Sequence, residues 1–137
     1  MRTKDEAPLP PPNWYRWAVQ SIRGYACFTM DLKTRVVTWD EGAADVFGYR
    51  REDVLGQDAR FIFTPGDIEK RAPEKEVATA VGHLAARDER WHVRKDGSVF
   101  WASGLMMVMT DDSGRHIGFV KIVRECPSPA TTASSAR

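Results

Sequence analysis

Two rhythms of apolar and polar residues divide the chain. Residues 25 to 39 and 90 to 124 carry short runs rich in β-branched and aromatic side chains, whereas residues 40 to 87 place apolar positions three and four apart. The first rhythm predicts strands over Tyr25 to Leu32 and Val36 to Trp39, with Lys33-Thr34-Arg35 as the turn between them. Three more strands are expected at Arg90 to Arg94, Val99 to Thr110 and His116 to Arg124. They are joined by Lys95-Asp96-Gly97-Ser98 and by Asp111-Asp112-Ser113-Gly114-Arg115. Asp96-Gly97 is turn chemistry, since glycine accepts a positive φ, and implies no catalysis.

The second rhythm predicts helices. Asp40 is placed to cap one through EGAADVFGY, with Ala43, Val46 and Phe47 on one face, and Arg51 to Gly56 make another turn. RFIFTPGD (60 to 67) packs three large apolar residues ahead of a Pro-Gly break. The strongest helix by propensity runs from Glu74 to Arg87 after Pro73, with Val77, Ala80, Val81 and Leu84 on its inner side. Upstream, Asn13 is placed to cap a short helix in which Trp14, Trp17, Val19 and Ile22 make an apolar stripe, ended by Gly24. Two strands, a helical middle and three strands define an α+β fold with an antiparallel sheet.

Composition sets the boundaries. Residues 1–12 hold four of the eight prolines and read as a flexible proline-rich lead, 13–23 as the helix, 24–125 as the folded domain and 126–137 (CPSPATTASSAR) as a disordered tail. A chain of 137 residues is one domain. Twenty basic against nineteen acidic side chains leave a net charge of +1, so no field of one sign draws in nucleic acid or an anionic membrane. No run of eighteen apolar residues and no signal-type apolar segment is present. Cys27 and Cys126 lack metal-site or disulfide-scaffold spacing, which points to a reduced, cytoplasmic protein.

Several stretches, taken in order, resemble the PAS domain with its C-terminal PAC motif, as in the input domains of bacterial sensor histidine kinases. They are VVTWDEGAADVFGYRREDVLGQ (36 to 57), FTPGD (63 to 67), ERWHVRKDGSVFW (89 to 101) and DDSGRHIGFVKIVRE (111 to 125). The resemblance implies a five-stranded antiparallel sheet in the order 2-1-5-4-3, cupped by helices on one side. It also implies sensing: such domains bind small molecules, hold cofactors or pair with other domains, and the fold does not choose among these.

The cofactor branches of the family are tested by particular residues. Light-sensing members, the LOV domains, carry Gly-x-Asn-Cys-Arg-Phe-Leu-Gln, and the matching stretch is Gly56-Gln57-Asp58-Ala59-Arg60-Phe61-Ile62-Phe63. Ala59 stands at the reactive cysteine's position, and a methyl group forms no thioether adduct. Positions that hold the flavin ring there fall on His92, Ala102 and Val123, two of which offer no hydrogen bond. His83 lies near the C-terminal end of the long helix, away from the position that ligates haem in oxygen-sensing relatives, and reads as a surface residue, as does His116. No cofactor and no metal are expected.

Alternation divides the fourth strand. Phe100, Ala102, Gly104 and Met106 face inward, where with Trp39, Phe47, Phe61, His92, Phe119 and Val123 they are candidates for lining a ligand pocket. The alternative is that the aromatics fill that space. Trp91, Trp101, Leu105, Met107, Val120 and Ile122 face outward, and with Trp14 and Trp17 they are the candidates for a homodimer or partner surface. No Ser-His-Asp order, carboxylate pair or phosphate loop argues for an enzyme, and no cluster of perturbed titratable groups is suggested. Pro127 and Pro129 stop any helix that would run on from the last strand, and no kinase, receiver or cyclase sequence is present. The expectation is a sensory, two-component-type module without its own output domain, either free-standing or an input domain of a larger sensor kinase. It senses a small ligand or pairs with a partner signalling protein; the alternative is a constitutive dimerisation module with a filled core.

Overall fold

The computed structural model describes residues 8–128, so the tail from 129 onward and the first seven residues of the proline-rich lead lie outside the described residues. In chain order the elements are helix α1 (Trp14–Gln20), strands β1 (Ala26–Met30) and β2 (Val36–Trp39), and helices α2 (Glu41–Phe47) and α3 (Arg51–Val54). A 3-10 helix (Ala59–Ile62), α4 (Pro65–Glu69) and α5 (Ala72–His83) follow, then β3 (Ala85–Val93), β4 (Val99–Thr110) and β5 (His116–Glu125). The strands form one antiparallel sheet in the order β2-β1-β5-β4-β3, as the resemblance implied. Helices α2 and α5 pack on its inner face over Phe28, Met30, Trp39, Phe100, Met106, Phe119 and Val123.

Asp40 ties the helical layer to the sheet. Its Oδ1 accepts hydrogen bonds from the Ala43 amide at 2.7 Å and the Cys27 amide at 3.2 Å, capping α2 and anchoring it to β1 in one contact. Gly42 allows the close approach, because a Cβ there would lie 2.0 Å from the Tyr25 carbonyl oxygen. Asp40→Ala is expected to cost about 1–2 kcal/mol in urea unfolding, since two amides lose their acceptor. A loss below about 0.5 kcal/mol, the size of an ordinary surface substitution, would show the cap to be dispensable.

The helix expected over 74–87 and the strand expected to begin at Arg90 are both corrected. Helix α5 starts at Ala72 and stops at His83, Leu84 turns with a left-handed φ of 70°, and β3 begins at Ala85. Ala-Ala-Arg favours helix by only a few tenths of a kcal/mol per residue, whereas the ladder from Ala85↔Met107 to Val93↔Val99 satisfies the backbone of the twelve-residue β4. The inner side of α5 changes with it: Ala72, Glu76 and Ala80 are buried, while Val81 and Leu84 are exposed. Asn13 makes no side-chain cap, and none of α1 is buried.

Candidate functional site

The longer β3 brings charge into the core. Starting at Ala85, the strand turns Asp88, Arg90 and His92 to the inner face, where Asp88 pairs across to Gly104 and His92 to Phe100. On β5 the alternation that buries Phe119 and Val123 also buries Lys121 between them. Glu76 joins from α5, one turn from Ala72 and one from Ala80.

These side chains form one connected network. Lys121 Nζ donates to Glu76 Oε1 at 2.8 Å and to Asp88 Oδ2 at 2.6 Å, and lies 4.8 Å from the centre of the Phe63 ring. Asp88 Oδ1 accepts from Arg90 Nε, and the Arg90 guanidinium reaches Asp67 at 3.4 Å. His92 Nδ1 donates to the Ile62 carbonyl at 2.8 Å, while Nε2 stands 2.8 Å from Asp88 Oδ2. Glu76 is 7% exposed, Lys121 1%, and Asp88 and His92 0%, so these charges are met by one another rather than by water.

Burial pushes the Glu76 carboxyl up to about 7 against the pull of Lys121, and the nearby Asp88 charge adds to the rise. Burial acts in the same sense on Asp88, but there the Lys121 ammonium and the His92 hydrogen bond prevail and hold the carboxyl well below the usual carboxylate range. The His92 imidazole is lowered, chiefly by burial, with Lys121 assisting and the Asp88 hydrogen bond opposing. Since Nδ1 is committed to a carbonyl, the Nε2 contact to Asp88 is a hydrogen bond only in the imidazolium form.

A pocket of about 310 Å³ opens beside this network. Its walls are the β1–β2 turn at Leu32 and Thr34, the 3-10 helix at Ala59, Arg60 and Ile62, and the first turns of α5 at Pro73 and Val77. Met30, Phe63, Met106, Glu76 and Lys121 also line it, with Lys33, Asp58 and Glu74. At the rim, Arg60 pairs with Glu74 at 2.8 Å and with Asp58 at 3.2 Å. Glu76 Oε2 is buried with no hydrogen-bond partner among the described residues.

Of the inward residues singled out from sequence, Met106 lines this pocket and His92 lies in the adjoining network. Trp39, Phe47, Phe100, Ala102, Phe119 and Val123 are buried in the core, with half-buried Phe61 against Trp39 and Gly104 opposite Asp88. Aromatic contacts pack this core, with Phe28 and Trp39 at 5.0 Å and Phe47 and Phe100 at 5.6 Å between ring centres. On the outer face Trp91 and Trp101 meet edge to face at 5.5 Å, and Leu105 pairs with Ile122 and Met107 with Val120. All six are half-buried, while Trp14 and Trp17 are 52% and 46% exposed.

Sequence reasoning missed Glu76, Asp88, Arg90 and Lys121. Lys121 was within reach, because strand alternation puts it on the face of Phe119 and Val123. Asp88 was hidden by reading residues 84–87 as helix, which removed the register that turns it inward. Glu76 shares a face with Ala72 and Ala80, but a lone Glu between alanines reads as solvent-facing.

A five-stranded antiparallel sheet, cupped by helices with a small pocket at one side, defines an α+β domain. The PAS domain family model matches residues 24–125, and the chain belongs to that family. The two-component system protein A of Emericella nidulans is 32% identical over 111 residues, which are 81% of this chain and 16% of that protein. This chain thus spans about a sixth of that relative. A PAS domain from Colwellia psychrerythraea superimposes with a TM-score of 0.75 at 20% identity, covering 82% of this chain and 95% of its own. The PAS domain of a LuxR-family transcriptional regulator from Burkholderia thailandensis, described in complex with ethanol, gives 0.69 at 17% identity over 83% and 98%. Among the described residues, no helix is long and apolar enough to cross a membrane.

Proposed function

We propose that this chain is a non-catalytic sensory module of a two-component signalling protein, which works as a pair of copies joined through the outer face of the sheet. The observation that carries this reading is the unsatisfied apolar surface. The half-exposed face of Trp91, Trp101, Leu105, Met107, Val120 and Ile122 sits in the same chain as a helix, α1, of which no residue is buried and whose tryptophans stand largely in solvent. Both surfaces gain roughly 25 cal/mol for each Å² they remove from water on pairing. The kinship with a two-component system protein supports the signalling role.

Sedimentation velocity tests the pairing. The chain is expected to dimerise, and Trp101→Arg to weaken dimerisation at least about tenfold, as loss of a central aromatic anchor does. A wild-type chain that stays monomeric at all concentrations would overturn the reading.

A second reading, small-molecule sensing, is favoured by the pocket beside the buried network, whose walls mix apolar side chains with a few convergent charges. The same packing speaks against a resident flavin: Ala102 and Val123 offer its polar edge nothing, and His92 is held between the Ile62 carbonyl and Asp88.

A further inference from the structure

The sensing reading leaves the ligand's chemistry unspecified, and one atom narrows it. Glu76 is 7% exposed and lines the pocket, Lys121 occupies its Oε1, and its Oε2 has no partner among the described residues. A buried carboxylate oxygen without a donor is an uncommon and costly state, relieved by a donor arriving from the pocket.

The charges around that oxygen select the kind of donor. In the network the carboxylates of Glu76, Asp88 and Asp67 face the two cations Lys121 and Arg90, while burial favours the neutral form of His92, whose Nδ1 holds the Ile62 carbonyl. Ionised Glu76 therefore leaves the cluster one positive charge short. At the rim the single Arg60 stands between Asp58 and Glu74, so it is engaged too; Lys33 is the remaining cation of the lining and lies exposed on the hairpin. A ligand carboxylate or phosphate would find only Lys33 unengaged, out on the exposed hairpin, and would face an orphaned oxygen of its own sign inside. A ligand ammonium would meet the opposite. Met30, Leu32, Ala59, Ile62, Val77 and Met106 supply apolar walls for the rest of the molecule, with the two methionines able to adjust to its shape. A volume of about 310 Å³ suits one ring or a short chain.

We propose that this pocket binds a small monocationic amine with an apolar body, whose ammonium group donates to Glu76 Oε2. The proposal rests on the sensing reading and adds the class of ligand. The recognising carboxylate sits on α5 and is joined through Lys121 to β5, so occupancy bears on the contact between that helix and the sheet whose outer face carries the partner surface.

Amide NMR of the full chain tests it with three probes of similar shape: phenethylamine, phenethyl alcohol and hydrocinnamate. Phenethylamine is expected to shift the amides of Glu76, Met106 and Lys121 and to bind at least about tenfold more tightly than either of the others, the size of one charge-assisted contact. Glu76→Gln is expected to abolish that preference while retaining the circular-dichroism spectrum of the wild type. Val77→Phe, which leaves the network untouched and fills the pocket, is expected to abolish binding of all three. The ranking of the probes on the wild-type chain decides the matter even where a variant fails to fold. Equal or tighter binding of hydrocinnamate or the alcohol would overturn the amine assignment and leave sensing standing. If no probe at millimolar concentration shifts these amides, the sensing reading falls with the proposal.

Discussion

Lys121→Met is expected to destabilise the domain by about 3–5 kcal/mol, measured by urea unfolding followed through tryptophan fluorescence. Methionine matches the lysine stem in length and is apolar, so the change leaves almost no cavity. The loss arises from what stays behind: Glu76 Oε1 and Asp88 Oδ2, at 2.8 and 2.6 Å from the missing ammonium, become two buried carboxylates with one cation, Arg90, for Asp88 alone. Combining Lys121→Met with Glu76→Gln is expected to recover part of the loss, because the network then returns to the net charge of the wild type. A single-variant effect under about 1 kcal/mol, the range of exposed ion pairs, would mean that the network is solvated and contributes little.

Glu76 gives the second large effect, and its sign follows from where the carboxyl holds its proton. Its pKa is about 7 in the fold against 4.5 for an ordinary glutamate, so between these values the folded chain binds the proton that the unfolded chain releases. The stability this group contributes is full below 4.5 and is lost as the pH rises through about 7. Asp88 and His92 act in the opposite sense. Both are lowered in the fold, so their contributions are lost on acidification, Asp88's below the ordinary aspartate range and His92's below the ordinary histidine range. Comparison with Glu76→Gln removes those shared effects. Between about pH 5.5 and pH 8.5 the variant is expected to gain roughly 2 kcal/mol relative to the wild type, through loss of a group that is neutral at the lower pH and a buried anion at the higher. Parallel stability curves for the two chains would show that Glu76 titrates as it does in water.

How this network escaped notice shows where sequence reasoning stops. The strands, the Asp40 cap, the short helix after it and the two faces of β4 follow from local chemistry: β-branched and aromatic runs, turn residues, and a side chain able to accept from an amide three residues on. The strand order came with the family resemblance, carried by four stretches at matching spacing. Residues 84–87 failed because their local preference and their tertiary role disagree. Alanine and arginine favour helix weakly, and the unpaired edge of β4 claims them as strand.

An α+β domain with an antiparallel sheet, most of its elements, and the side chains of β4 that share a face follow from the order of residues alone, because period and turn chemistry act within a few residues along the chain. That Glu76, Asp88, His92 and Lys121 meet is a product of the three-dimensional packing. Glu76 and Asp88 look like surface residues where they stand, alternation alone turns His92 and Lys121 inward, and a charge is held in a core only by partners from other elements, here α5, β3 and β5, whose approach is set by packing rather than by local preference.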